Sequence, residues 1–226
     1  MSPRVLFVED DANLGYMLSE YLALHGFSVT WARDGSEGLE QFARSDFSIC
    51  LLDVMLPGMD GFAIAARIRE QQPEMPFVFL TSRGLKIDKL KGFRLGCDDY
   101  ITKPVDEEEL IARLKAVLHR SQPTAPAAAA LQLGQTIFDR GSQKVIFRGE
   151  EHHLTNKEAA VLSFLATHKN RLTERDVMLK KIWGASDFFN RRSMDVVISR
   201  LRRHLQADTS IAIRNIHGKG YILEES

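Results

Sequence analysis

Ser48-Ile-Cys-Leu-Leu-Asp53 decides how this chain folds. Four consecutive apolar residues without alternation read as a strand buried on both faces, the pattern of a parallel sheet covered by helices. The run ends on a carboxylate, Asp53, which alone reads as readily as a helix cap as a site for chemistry. Working outward, further short strands read at Val5–Val8, Ser28–Trp31, Phe77–Leu80 and Asp99–Ile101. Between them Leu14, Leu18, Tyr21 and Leu22 mark one helix face, and Leu110, Ile111, Leu114, Val117 and Leu118 mark another. The alternation predicts an α/β fold for residues 1–120, a (βα)5 doubly wound parallel sheet.

The pattern changes after Arg120. SQPTAPAAAA, residues 121–130, holds two prolines and no charge or bulky apolar residue, and reads as a linker. Residues 131–226 read as a second, α+β domain. Strand signals at Gln135–Asp139, Lys144–Phe147 and His152–Leu154 come first. Thr155 with Glu158 and Thr173 with Asp176 have capping-box spacing, so a helix is expected after each. A third helix is expected over about Arg192–Gln206. A terminal hairpin follows, Ile211–Asn215 and Tyr221–Leu223 around the turn HGKG.

Of the chain's 226 residues 44% are hydrophobic and 27% charged, which is ordinary for a globular protein and excludes a disordered or collagen-like chain. The formal charge of zero hides an asymmetry: residues 1–120 hold 14 basic against 19 acidic residues, and residues 121–226 hold 16 against 11. A basic second half suggests nucleic acid as its partner. Cys50 and Cys97 stand alone among small or apolar neighbours, so neither a disulfide framework nor a zinc site is expected. No apolar run is long enough to cross a bilayer, and RVLFVEDD meets three acids too early for a signal peptide, so a cytoplasmic protein without membrane partners is expected.

Glu9, Asp10 and Asp11 follow the first strand, and Asp53 closes the third. In a doubly wound sheet those strand ends adjoin at the topological switch point. Carboxylates so close repel one another, which asks for a hard cation, and Mg2+ with oxygen ligands suits it. Thr81 and Lys103, at the ends of the fourth and fifth strands, bring a hydroxyl donor and an ammonium to the same rim, completing a pocket for a phosphoryl group. Each residue alone has a plainer reading as a solvated loop acid or a helix cap, and Asp11 suits a cap at least as well. Their coincidence at successive strand ends is what favours chemistry.

A helical wheel over residues 192–206 gathers Met194, Val197, Ile198, Leu201 and Leu205 on one arc. The opposite side carries Arg192, Val196, Ser199 and Arg203, flanked by Asp195, Arg200 and Arg202. Such a helix is anchored by its seam and suits a major groove, where arginine reaches guanine edges or phosphates and Val196 can lie on a thymine methyl. A merely solvated basic helix would explain the arginines but not Val196.

FVEDD, LLDVMLPGMDG, LTSR and DDYITKP resemble the receiver domain of bacterial two-component response regulators. LTNKEAAVLSFL, RRSMDVVISRLRRHL and IHGKGYIL resemble the winged-helix effector domain of the OmpR/PhoB subfamily. The resemblance implies that Asp53 takes a phosphoryl group from a sensor histidine kinase. It implies that Glu9, Asp10, Asp53 and the Met55 carbonyl hold Mg2+, that Lys103 and Thr81 contact phosphoryl oxygens, and that Thr81 and Tyr100 act as the switch. Pro104 matches the family's cis peptide. Lys89, Asp98, Asp99, Glu109 and Arg113 match the face by which subfamily receivers form a homodimer, although Arg94 and Lys115 depart from its pairing of acid with base. Duplex DNA with tandem half-sites is implied as the target of a winged helix-turn-helix using Arg191, Arg192, Val196, Ser199, Arg200 and Arg203, with His217 and Lys219 on the wing. His217 stands where many members have arginine, so Lys219 is expected to carry the wing's charge. WGASDFFN resembles the loop by which activators touch RNA polymerase, with buried packing of Phe188 and Phe189 as the competing reading.

The resemblance implies a receiver that assists its own modification, so no external turnover substrate is expected. Two other classes remain at this point. An aspartyl-phosphate hydrolase would place a second acid two residues after its nucleophile, where this chain has Met55. A constitutive DNA-binding protein with a silent receiver would bind its operator equally well with and without a phosphoryl mimic.

Overall fold

A computed structural model of the chain describes residues 2–82, 92, 94–121 and 130–226. Lys89 and most of the expected fourth helix of the first domain, like linker residues 122–129, lie outside the described residues. The chain divides into two compact units, Met1–Gln122 and Pro123–Ser226.

In the first unit β1 (Arg4–Val8), α1 (Ala12–Leu24), β2 (Ser28–Ala32), α2 (Gly35–Arg44), β3 (Ile49–Asp53), α3 (Gly61–Gln71), β4 (Phe77–Ser82), β5 (Asp99–Lys103) and α4 (Glu107–Ser121) follow in order. The five strands are parallel and ordered β2-β1-β3-β4-β5. Winding reverses between β1 and β3, so their carboxyl ends flank the crevice that such sheets leave open for a ligand. All five residues of β3 are buried, as the unbroken apolar run requires. Leu18 and Leu22 of α1, with Leu110, Leu114 and Val117 of α4, cover one face of the sheet without exposure.

Short carboxylates start the helices. Asp11 caps α1 through Asn13 N and Leu14 N, at 2.8 and 3.0 Å. Those bonds, that from Leu14 first, hold its carboxyl below the usual range. Asp34 and Asp60 cap α2 and α3 in the same manner.

The second unit opens with an antiparallel sheet of β6 (Leu131–Leu133), β7 (Thr136–Asp139), β8 (Lys144–Phe147) and β9 (Glu150–His153). It continues through α5 (Asn156–Thr167), β10 (Thr173–Glu174), α6 (Arg175–Trp183), α7 (Phe188–Leu205), β11 (Ile211–Ile216) and β12 (Gly220–Glu225). Three helices thus lead into an antiparallel hairpin turned at Gly218, whose φ of 71° suits a residue without Cβ. This is a winged helix-turn-helix. The seam residues Met194, Val197, Ile198, Leu201 and Leu205 are all buried.

Three local expectations fail here. Thr155 and Glu158 form their capping box, but Thr173 caps nothing: it pairs with Tyr221 in the small β10-β12-β11 sheet, and α6 starts after Glu174 without a side-chain cap. The third helix begins at Phe188, four residues before the expected start, because Asp187 accepts a hydrogen bond from Asn190 N and caps it there. Strand β6 lies ahead of the first one expected.

Candidate acidic site and nucleic-acid interface

Strand β1 delivers Glu9 and Asp10 to the crevice, and β3 delivers Asp53. One carboxylate oxygen from each lies within 4.8 Å of the others. Glu9 is fully buried and Asp53 is 3% exposed, while Asp10 is open to solvent. Lys103, the last residue of β5, places Nζ 2.7 Å from Asp53 Oδ2 and donates to Glu9 Oε1 at 2.9 Å. Glu9 Oε2 lies 2.8 Å from the same nitrogen yet receives no hydrogen bond. Asp53 Oδ1 accepts from Met55 N at 3.0 Å.

Two carboxylates therefore share one ammonium, with one buried oxygen left without a donor. Burial pushes the Glu9 carboxyl above its ordinary range, and the Asp53 charge adds to this against the pull of Lys103. Burial alone would lower the Lys103 ammonium, but its bonds to Asp53 and Glu9 and their charges outweigh it and hold the group above its ordinary value. The donor set is all oxygen, two carboxylates in excess of the single ammonium, and has an open side at Asp10. It fits a hard divalent ion that keeps several waters.

The other residues singled out by the sequence stand nearby. Thr81 is buried, and among the described residues its hydroxyl makes only a long bond of 3.3 Å to Ser82 O. Tyr100 is half-buried on β5, its ring 5.2 Å from that of Phe79. The Lys103–Pro104 peptide is cis. Gly61 was not singled out, although a Cβ there would overlap the carbonyl of Asp53. Of the expected dimer face, Asp99, Arg113 and Glu109 form one chain of ion pairs within the molecule, at 2.8 and 2.6 Å. Asp98 is not part of a surface: it is 5% exposed and its Oδ2 accepts from Phe77 N, tying β5 to β4.

On α7, Arg192, Ser199 and Arg203 are exposed and Val196 is half-buried. His217 and Lys219 are exposed at the hairpin tip. At least three arginines of α7 are committed within the unit, Arg202 by donating from Nε to Ile213 O at 2.9 Å. Arg191 pairs with Asp176 at 3.1 Å, and Arg200 reaches the buried Glu158 at 3.4 Å. Arg175 was missed from the sequence. It joins Asp195 at 2.5 Å and the Arg191 carbonyl at 3.0 Å, while the Tyr221 hydroxyl donates to Asp195 at 3.2 Å, so strand and helix brace the start of α7. Partners 20 and 26 residues away leave no local signal.

Known proteins share both halves. Residues 5–115 match the family described as response regulator receiver domain, and residues 149–223 match that described as transcriptional regulatory protein, C terminal. A Bacteroides fragilis protein, transcriptional regulatory protein RprY, is 43% identical over 97% of this chain and 94% of its own. The chain is an OmpR/PhoB-family response regulator. The Bacillus subtilis alkaline phosphatase synthesis transcriptional regulatory protein PhoP is 35% identical to this regulator, over all of this chain and 98% of the relative. The solved structure of DrrB, a Thermotoga maritima OmpR/PhoB homologue, is 32% identical and covers 99% of the regulator, with a TM-score of 0.51. The first unit is thus the receiver and the second the DNA-binding domain of a two-component regulator. Among its described residues no helix is long and apolar enough to cross a membrane.

Proposed function

We propose that a sensor histidine kinase transfers a phosphoryl group to Asp53, that modified receivers pair, and that the paired chains bind tandem half-sites on duplex DNA to control transcription. The observation that carries this reading is the convergence of Asp53 with Glu9, Asp10 and Lys103 beside the Thr81 hydroxyl end of β4.

A carboxylate oxygen of Asp53 attacks phosphorus as the bond to the kinase imidazole breaks, leaving an acyl phosphate. In such transfers the protein mainly positions groups and offsets charge. Lys103 already donates to Asp53 and follows the charge onto a phosphoryl oxygen. Thr81 exchanges its weak bond to Ser82 O for another phosphoryl oxygen. Glu9, Asp10, Asp53 and the Met55 carbonyl would hold Mg2+, which when bound supplies positive charge to the carboxylates and the phosphoryl oxygens. The half-buried ring of Tyr100 and the hydroxyl of Thr81 are the groups whose displacement reports the modification. The receiver serves only its own modification, with no other substrate turned over.

Pairing then exchanges the Asp99, Arg113 and Glu109 contacts for contacts with a second copy. Exposed ion pairs contribute only about 0–1 kcal/mol each, so the exchange is nearly free. Two DNA-binding units on adjacent half-sites raise each other's effective concentration. Arg192, Val196, Ser199 and Arg203 supply the groove face, and Lys219 with His217 the wing. The exposed Phe188 at the start of α7 is the anchor this reading offers to RNA polymerase. A cytoplasmic location follows, since both DNA and the kinase's donor histidine are met there.

Acetyl phosphate with Mg2+ tests the site directly. The unaltered chain should gain label and Asp53→Asn should gain none; label on Asp53→Asn at the unaltered rate would remove Asp53 from its role. Operator affinity and light scattering with and without beryllofluoride then separate a phosphorylation-controlled regulator from a constitutive one.

A further inference from the structure

Trp31 lies at the end of β2, opposite Phe7 of β1, and its indole turns toward the acidic site. Nε1 donates to the Glu9 carbonyl at 2.9 Å, and Glu9 N donates to Ala32 O at 3.1 Å. Both peptide groups of Glu9 are therefore fixed by one strand end. The first bond is not part of the sheet ladder, which ends at Val8 opposite Ala32; it comes from a side chain that continues the ladder by one step.

A second observation shows that the indole is built into this place. On α1, a Cβ at Gly15 would overlap the Trp31 ring at Cζ2, Cε2 and Nε1, so the helix carries hydrogen where the ring passes. A glycine inside a helix destabilises it relative to alanine, because glycine loses more backbone freedom on folding. Here that cost admits the donor to the Glu9 carbonyl. Asp11 O, two residues beyond that carbonyl, accepts from Gly15 N at 2.8 Å, so ring, helix start and acidic turn form one packed unit.

Among the described residues Asp10's carboxylate makes no hydrogen bond or ion pair, so its position is set by its backbone. The torsions about the Glu9–Asp10 peptide set that position, and the Trp31 bond holds its carbonyl. We infer that Trp31 is a positioning residue for the cation site, fixing the Glu9–Asp10 peptide so that both carboxylates stay aimed at the ion, with Gly15 as the gap that admits its ring. This rests on the reading of Glu9, Asp10 and Asp53 as a Mg2+ site. Trp31 touches neither ion nor phosphoryl group and acts only through that peptide.

The test is calorimetric titration of the full-length chain with MgCl2 alone, beside urea unfolding without metal. Three replacements are compared: Trp31→Phe, Gly15→Ala, and Trp31 replaced by benzothienylalanine, which keeps the bicyclic shape and puts sulfur where the N–H was. All three should weaken Mg2+ binding by about three- to tenfold, the range one neutral hydrogen bond spans in an equilibrium constant. The benzothienyl chain should keep its urea midpoint, because its packing is retained. A purely structural role would move the midpoint and leave the affinity of folded protein unchanged, and that result overturns the inference. If Trp31→Phe does not fold, the benzothienyl chain decides alone. Absence of Mg2+ binding by the unaltered chain would refute the metal site itself and this inference with it, whereas equal binding by all chains refutes only the role of Trp31.

Discussion

The acidic crevice and the basic helix handle charge in opposite ways. At the crevice three carboxylates converge, two of them buried, and a single ammonium serves both buried ones. On α7 the guanidinium groups diverge, and two of them meet acids of their own unit, Arg191 with Asp176 at the surface and Arg200 with the buried Glu158. Negative charge buried in excess leaves a deficit that only a cation can fill. Charge spread over a surface leaves no deficit, and its partner is drawn by a long-range, salt-screened field. In the proposed function the first arrangement serves as a switch and the second as a reader.

The sharpest way to break this contrast is to remove the shared cation. Lys103→Met leaves two buried carboxylates together, and breaking such a pair costs about 3 kcal/mol. Urea unfolding should show a loss of that size without metal and partial recovery with Mg2+; equal loss under both conditions would mean the carboxylates do not use the ion. A smaller effect separates the arginines. Arg203→Ala should cost operator binding about 1–3 kcal/mol and flatten its salt dependence while leaving the melting temperature alone. Arg200→Ala should lower the melting temperature first, because it strips the cation from buried Glu158. If both variants behaved alike, the division between committed and outward arginines would fail.

The smallest effect concerns pH. Burial, foremost, keeps the half-buried His204 below its ordinary value of 6.5; His152, Arg200 and Arg203 add to this and Glu158 opposes it. The unfolded chain therefore takes up the proton first. The stability contributed by the neutral ring is complete above about 6.5 and falls as pH drops through that value toward the folded pKa. His204→Gln should remove that part of the slope from pH-dependent unfolding of the full chain.

Much of the receiver was legible because its strands are short apolar runs and its site residues adjoin them in sequence. Glu9, Asp10, Asp53, Thr81 and Lys103 need only the topology to meet. What stayed hidden depends on distant pairing. Asp98 looks like a surface acid beside Asp99, yet its partner is the Phe77 amide, 21 residues away. Thr173 has the spacing of a cap, yet Gly220 brings β12 so close that a Cβ there would overlap the Thr173 carbonyl, and strand pairing wins. The early start of α7 was within reach, since Asp187 stands three residues before the Asn190 amide it accepts from. No local pattern announces that Arg175 braces Asp195, or that Trp31 reaches Glu9.

Glu158 closes the Thr155 capping box with one carboxylate oxygen and meets Arg200 with the other. The start of α5 and the middle of the recognition helix thus hang on a single buried group that no duplex can touch. Loss-of-binding alleles collected without knowledge of the fold would gather at this position alongside the exposed arginines proposed to face the groove, and its phenotype would pass for a contact.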